Sequence, residues 1–288
     1  MAMREPFMVK ENFNGATANL SLTTKVGESI RIKELRVGAL TSGGFCECFI
    51  DRLSVGFWYI GDINANHLEQ LSEGDVLPNL FERLQQLKVF NGYPIAEGET
   101  FEIRPAVAGT TIIGAIIYET FDAADMKKDM ENGSASNDFM FINYGTNTAQ
   151  ITTAAYGRLD KSRNPTEYPA FPFGEVVPPG YEIDIVGILL KDWGGYVDNT
   201  ANQMRYLRLT KDRRVLFTDD RRGIYSTQGM SYFTWGSIRQ TNTDIKLFPA
   251  PLMFKAGDEL LVDLSVGGTV TAEDVMIAMI QKVRRGAK

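Results

Sequence analysis

Hydrophobic and polar residues alternate with a period of two along most of this chain. SIRIKELRV (29–37) places Ile30 and Ile32 on one face, and FIDRLSVGFWYI (49–60) places Leu53, Val55 and Phe57 on one face. FEIRPAV (101–107), TIIGAIIY (111–118), YEIDIVGILL (181–190), RYLRLT (205–210), DIKLF (244–248), ELLVDLSV (259–266) and DVMIAMIQKV (274–283) read the same way. They are rich in Thr, Val, Ile, Phe and Tyr, which suit a pleated, half-buried surface. Gly43-Gly44, Asn91-Gly92, Pro178-Pro179-Gly180, Gly194-Gly195 and Gly267-Gly268 punctuate the runs as turns. Two stretches read as helical: ANHLEQLSE (65–73), and the first half of NLFERLQQLKVF (79–90), whose second half suits a strand. Many short strands with few helices predict an all-β sandwich or barrel.

The pattern also repeats. GESIRIKELRV from Gly27 and GYEIDIVGILL from Gly180 share the form G-x-x-I-x-I-x-x-apolar-x-apolar, matching Ile30, Ile32, Leu35 and Val37 with Ile183, Ile185, Ile188 and Leu190. DRLSV (51–55) then matches RYLRL (205–209), LKVF (87–90) matches IKLF (245–248), and Pro94 matches Pro251. Gly98, Glu99, Phe101 and Ile103 match Gly257, Asp258, Leu260 and Val262, and Gly109-Thr110 matches Gly268-Thr269. The blocks keep their order, and the offset drifts only from 153 to 159, as small loop insertions allow. A period this long makes each unit a whole domain. The expected division is residues 1–125, a linker at 126–139 that takes in most of the polar segment DAADMKKDMENGSASND (122–138), and residues 140–288.

Composition narrows the function. The chain has 288 residues, 44% hydrophobic and 23% charged, which fits a folded protein rather than a disordered one. A formal charge of −6 argues against a surface built wholly to grip nucleic acid. No apolar run reaches the length of a membrane-spanning helix. The N-terminus, MAMREPFMVKENFNG, has no apolar core of signal-peptide length, so secretion by that route is not expected. Cys46 and Cys48 are one residue apart, and a bridge between them would be strained, so two free thiols are expected.

Candidate chemistry is sparse. His67 is the single histidine, which rules out metal sites that need several imidazoles. No nucleophile elbow, zinc-protease helix, P-loop or dinucleotide-binding glycine motif occurs. Asp122, Asp125, Asp129 and Glu131 are a candidate calcium cluster, but they lack the EF-hand spacing and alternate with Lys127 and Lys128, which favours a solvated loop. Asp219-Asp220 followed by Arg221-Arg222 reads as a self-compensating turn. Arg213-Arg214 and the tail Lys282, Arg284, Arg285 and Lys288 are the basic clusters; the tail is a candidate contact for an anionic membrane or nucleic acid, with plain solvation the favoured reading. No catalytic, cofactor-binding or metal residue is assigned. Aromatic residues are plentiful, with 17 Phe, 11 Tyr and 3 Trp. YPAFPFG (168–174) and MSYFTWG (230–236) sit in loop-like context, either as anchors of a large interface or as plugs for the ends of the barrels.

Two consecutive β sandwiches with G-x-x-I-x-I and P-x-x-x-G-E-x-F-x-I signatures resemble a known family, the double jelly-roll major capsid proteins of tailless, membrane-containing bacteriophages, related in architecture to the adenovirus hexon. The resemblance covers roughly residues 15–120 and 140–283. It implies two tandem jelly rolls, three copies forming a pseudo-hexagonal trimer, and trimers tiling an icosahedral shell over a membrane. It further implies a non-enzymatic virion protein assembled in the host cytoplasm, with penton and minor capsid proteins as partners, possible contact with an internal viral membrane, and no sequence-specific nucleic-acid binding. Two rivals stand beside it. One is a double jelly-roll glycan amidase, whose relatives are secreted and disulfide-bearing. The other is a phage adhesin that binds carbohydrate through exposed aromatics and stays a small oligomer.

Overall fold

The computed structural model describes residues 3–12, 19–39, 44–60, 80–106, 111–125, 138–153, 155–192, 204–216, 246–273 and 275–285. Two compact units divide the chain, Met1–Phe139 and Met140–Lys288, the boundary falling inside the strand Asp138–Thr146 that opens the second.

The first unit contains β1 (Met3–Asn12), β2 (Leu20–Thr23), β3 (Glu28–Ala39), β4 (Gly44–Ile50), β5 (Leu53–Ile60), helix α1 (Leu80–Gln86), β6 (Tyr93–Ile95), β7 (Thr100–Pro105) and β8 (Ile112–Asp122). They form two antiparallel four-stranded sheets, in the orders β1-β8-β3-β6 and β2-β7-β4-β5. β1 pairs with β8, β2 with β7, β3 with β6 and β4 with β5, so the strands pair from the ends of the unit inward. That is one long hairpin rolled over on itself. The additional pairings β3–β8 and β4–β7 complete the sheets, which makes the unit a jelly roll.

The second unit repeats this order. It contains β9 (Asp138–Thr146), β10 (Gly157–Arg158), β11 (Lys161–Ser162), β12 (Tyr181–Asp192), β13 (Met204–Lys211), β14 (Arg214–Val215), β15 (Lys246–Lys255), β16 (Leu260–Val266) and β17 (Val275–Arg285). Its sheets run β11-β9-β17-β12-β15 and β10-β16-β13-β14. Without β11 they match those of the first unit strand for strand, so the fold is all-β with the same jelly-roll order twice.

Local geometry explains the repeated phrases. In each unit the ladder slips by one residue, between Ile32 and Glu34 on β3 and between Ile185 and Gly187 on β12. This β-bulge adds a residue and turns the apolar spacing from two to three. The written pattern I-x-I-x-x-apolar is its signature: Ile32 and Leu35, like Ile185 and Ile188, stay on the buried face across the slip. Gly27 and Gly180 have φ of +77° and +82°, and Gly98 and Gly257 have +79° and +89°. A Cβ at any of these four meets nothing within 4 Å, so backbone conformation rather than space selects glycine.

Several expectations need correction. FIDRLSVGFWYI is not one strand but the β4–β5 hairpin, turning at Asp51-Arg52. A bulge at Val55 reverses the alternation, leaving Leu53 exposed while Phe57 is buried. DRLSV therefore corresponds to DRRVL (212–216) and not to RYLRL, which lies in β13, the counterpart of β4. Asp51 and Asp212 both adopt positive φ, at 53° and 45°. Each accepts a backbone N–H bond through Oδ1, from Thr100 at 2.9 Å and from Glu259 at 3.2 Å. LKVF is a turn after α1, with Lys88 at φ 58°, whereas the KLF of its supposed match opens β15. Register also shifts the proline match by two: Arg31 faces Pro94, and its counterpart Asp184 faces Met253. Residues 138–139 of the expected linker belong to β9, while 126–137, the expected helix 65–73 and Gly109-Thr110 lie outside the described residues.

Each unit has its own core. Ile30, Ile32, Ile95, Phe101, Ile103 and Ile116 fill the first, and Ile183, Ile185, Phe254, Leu260, Val262 and Ile277 the second. Burying each such side chain contributes about 1.5–3 kcal/mol before conformational entropy is charged. In the first unit α1 adds Phe81, whose ring meets Trp58 at 5.3 Å and Tyr93 at 5.6 Å. Trp58 Nε1 donates to Tyr93 Oη at 2.9 Å, so this buried aromatic group keeps its polar atoms satisfied.

Candidate functional site

Among the described residues, the titratable groups singled out in the sequence do not converge. Cys46 and Cys48 are free and buried on β4. Burial, with Cys46 beside it, holds the Cys48 thiol well above its ordinary range, which opposes nucleophilic chemistry. Asp122, on β8, is ion-paired to Arg4 of β1. Asp125 is described, but Asp129, Glu131, Lys127, Lys128, His67, Asp219, Asp220, Arg221 and Arg222 lie outside the described residues. Among the described residues no group of three or more His, Cys, Asp or Glu is placed to hold a metal ion.

The basic clusters are partly neutralised. Arg213 lies in the β13–β14 turn with φ 71°. Arg284 pairs with Asp184 at 2.5 Å, and Arg285 lies 6.0 Å from the Tyr181 ring centroid. Lys282 is exposed on β17, and Lys288 lies outside the described residues.

The structure brings together two groups that sequence reading passed over. On the first, Glu34 of β3 and Glu82 of α1 flank Arg36, whose Nη2 lies 2.7 Å from Glu34 and whose Nε lies 3.8 Å from Glu82. Burial and the neighbouring Glu34 push the Glu82 carboxyl up to about 7, against the opposing pull of Arg36. On the second, Asp263 of β16 is nearly buried between Arg158 at 2.6 Å and Arg208 at 2.9 Å, and Arg208 also lies over the Tyr156 ring at 4.3 Å. Its counterpart pair across the first unit's sheet is Glu47 and Arg104, with the charges exchanged. Both groups join elements distant in sequence, so no local motif announces them. Both carboxylate oxygens of Asp263 are held by guanidinium groups, so the cluster presents no free carboxylate.

Aromatic loops behave differently from exposed anchors. Tyr168, Phe171 and Phe173 are buried within the second unit. Asn143 Nδ2 donates to the carbonyls of Pro169, Ala170 and Phe171, and Gln281 Nε2 adds a bond to Phe171 at 3.0 Å. Ser162 Oγ donates to Asn143 Oδ1 at 2.9 Å, and Phe171 packs on Phe254 with ring centroids 5.0 Å apart. YPAFPFG therefore packs into its own sandwich, as the plug reading of the two expected; MSYFTWG lies outside the described residues.

At one end, three short turns are knitted together. In the first unit Thr24 N donates to Glu99 O at 3.1 Å, Thr24 Oγ1 to Ala96 O at 2.6 Å, and Gly27 N to Glu97 Oε1 at 2.7 Å. In the second, Val177 N donates to Asp258 O at 3.0 Å and Gly257 N to Val177 O at 2.8 Å. Large apolar side chains remain exposed in these turns at Val26, Leu53 and Val176, and on the outer strand β1 at Phe7 and Val9.

No protein-family model and no curated protein matches the chain. Among solved structures it is similar to the major capsid protein P2 from bacteriophage PM2, at 9% identity over 98% of both chains with a TM-score of 0.43. It is also similar to the CUB1-EGF-CUB2 domain of human MASP-1/3, at 9% identity over 96% of this chain and 98% of that one, with a TM-score of 0.22. Likeness at these scores assigns neither family nor function.

Proposed function

We propose that this chain is a structural shell subunit, a major capsid protein whose copies close into trimers that tile an icosahedral virion. The supporting observation is the duplication itself: one strand order, one bulge position and one Asp-capped hairpin occur twice in a single chain. A subunit with two equal lobes gives six lobes in a trimer, which suits six-fold positions in a lattice, and cyclic closure leaves no open fibre-forming surface. On this reading the partners are other copies of the chain, with penton and minor capsid proteins and an internal viral membrane as further contacts. The protein acts in the virion, after assembly in the host cytoplasm, and carries out no catalysis and no sequence-specific nucleic-acid binding.

Mass measurement in solution together with imaging of assembled particles tests this reading. Trimers and closed shells are expected. A monomer of 32.1 kDa at every concentration overturns the reading and favours the adhesin, which glycan binding would then support. Glycan hydrolysis abolished by replacing a single Asp or Glu in a folded variant would overturn the non-enzymatic part.

A further inference from the structure

The two units differ at one edge. In the second, the far side of β9 is covered. β11 pairs there, Lys161 with Thr146 and Ser162 with Gly145. Arg163 N donates to Tyr144 O at 2.7 Å, and the Asn164 side chain accepts from Tyr144 N at 2.8 Å and donates to Ile142 O at 2.9 Å. The covering segment belongs to residues 159–180, between β10 and β12. In the first unit only Thr24–Gly27 separate β2 from β3, too few to reach across the sheet. β1, the counterpart of β9, pairs with β8 on one side, and among the described residues no strand pairs with its other side. Phe7 and Val9 are 62% and 47% exposed there.

An open edge of this kind is a template for strand addition. We propose that the outer edge of β1 receives a short strand from a second copy of this chain, with Phe7 and Val9 as its apolar contacts, doing between copies what β11 does within the second unit. The inference rests on the self-assembly reading, which places many copies at contact distance. β1 also carries its own limits. Pro6 lacks a donor and lies where the β1–β8 register breaks, so the added strand pairs along Phe7–Asn12 rather than the whole edge. Arg4, Glu5, Lys10 and Glu11 place both charge signs along the strand, which disfavours indiscriminate edge pairing.

The test uses the full chain, wild type and Phe7→Lys/Val9→Lys. Both side chains are exposed, so the variant should melt with the wild type. It should need about tenfold or more protein to assemble to the same extent. In wild type, hydrogen exchange at the outward amides of Phe7–Asn12 should slow by at least about tenfold on passing from monomer to assembly, each tenfold equalling 1.4 kcal/mol of added protection. Wild-type assembly with these amides unchanged overturns the edge proposal alone, whatever the variant does, as does a variant that assembles at the wild-type concentration. A wild type that never assembles overturns the underlying reading as well.

Discussion

Asp51 and Asp212 carry more of the fold than their exposure suggests. Each ends one strand, adopts a left-handed conformation, and caps the backbone of a strand about 50 residues on. Asp51→Gly should lose only the hydrogen bond, about 1 kcal/mol. Asp51→Ala should lose the bond and keep the left-handed Cβ strain, about 1–2 kcal/mol, that glycine relieves, so alanine should be the worse replacement in thermal or urea unfolding. Glu82 sets a pH dependence. Its carboxyl binds a proton more readily in the folded protein, at about 7, than at its ordinary 4.5. The folded state therefore holds the extra proton within this window, and stability should fall as pH rises through it. Glu34 beside it raises its proton affinity, and Arg36 opposes it. Urea titrations at stepped pH should show this slope, and Glu82→Gln should flatten it.

Among the elements, β3 and β12 were legible because bulge and glycine both leave marks in the sequence: an apolar step of three, and a Gly that no other residue replaces easily. The β4–β5 hairpin was not. Leu53, Val55 and Phe57 alternate straight through the bulge at Val55, and the turn before them, Asp51-Arg52, contains neither Gly nor Pro. The same gap misdirected the match of DRLSV, because apolar spacing repeats freely whereas a capping carboxylate is recognised only beside its bonded strand. YPAFPFG left two readings open for another reason. Proline and glycine mark it as irregular, and irregular segments usually lie outside. Here Asn143 and Gln281 supply the donors that let a loop backbone enter the core. Asn143→Ala should leave the carbonyls of Pro169 and Ala170 without this donor, while Phe171 keeps Gln281, and cost about 1–3 kcal/mol. Phe171→Ala should cost about 3–5 kcal/mol through the cavity beside Phe254. Calorimetry of the two variants checks both.

For the whole molecule, the pairing of strands from the ends inward fixes an order of events in time. β4 meets β5 across two residues, Asp51 and Arg52, whereas Val9 must find Ile117. The first unit can therefore close its innermost hairpin early, but β1 and β3 wait for β8, which lies between them. Contacts of such long sequence separation form slowly, and a ribosome adds only about 5–20 residues each second. During synthesis the N-terminal strand is thus an unpaired ribbon for several seconds at least. Nascent chains stalled with residue 105 just outside the ribosome should be digested readily across β1. Those stalled with residue 125 outside should resist, because the central strand of the first sheet has then arrived. Translation speed from β1 to β8 would govern how long this strand stays open to strangers.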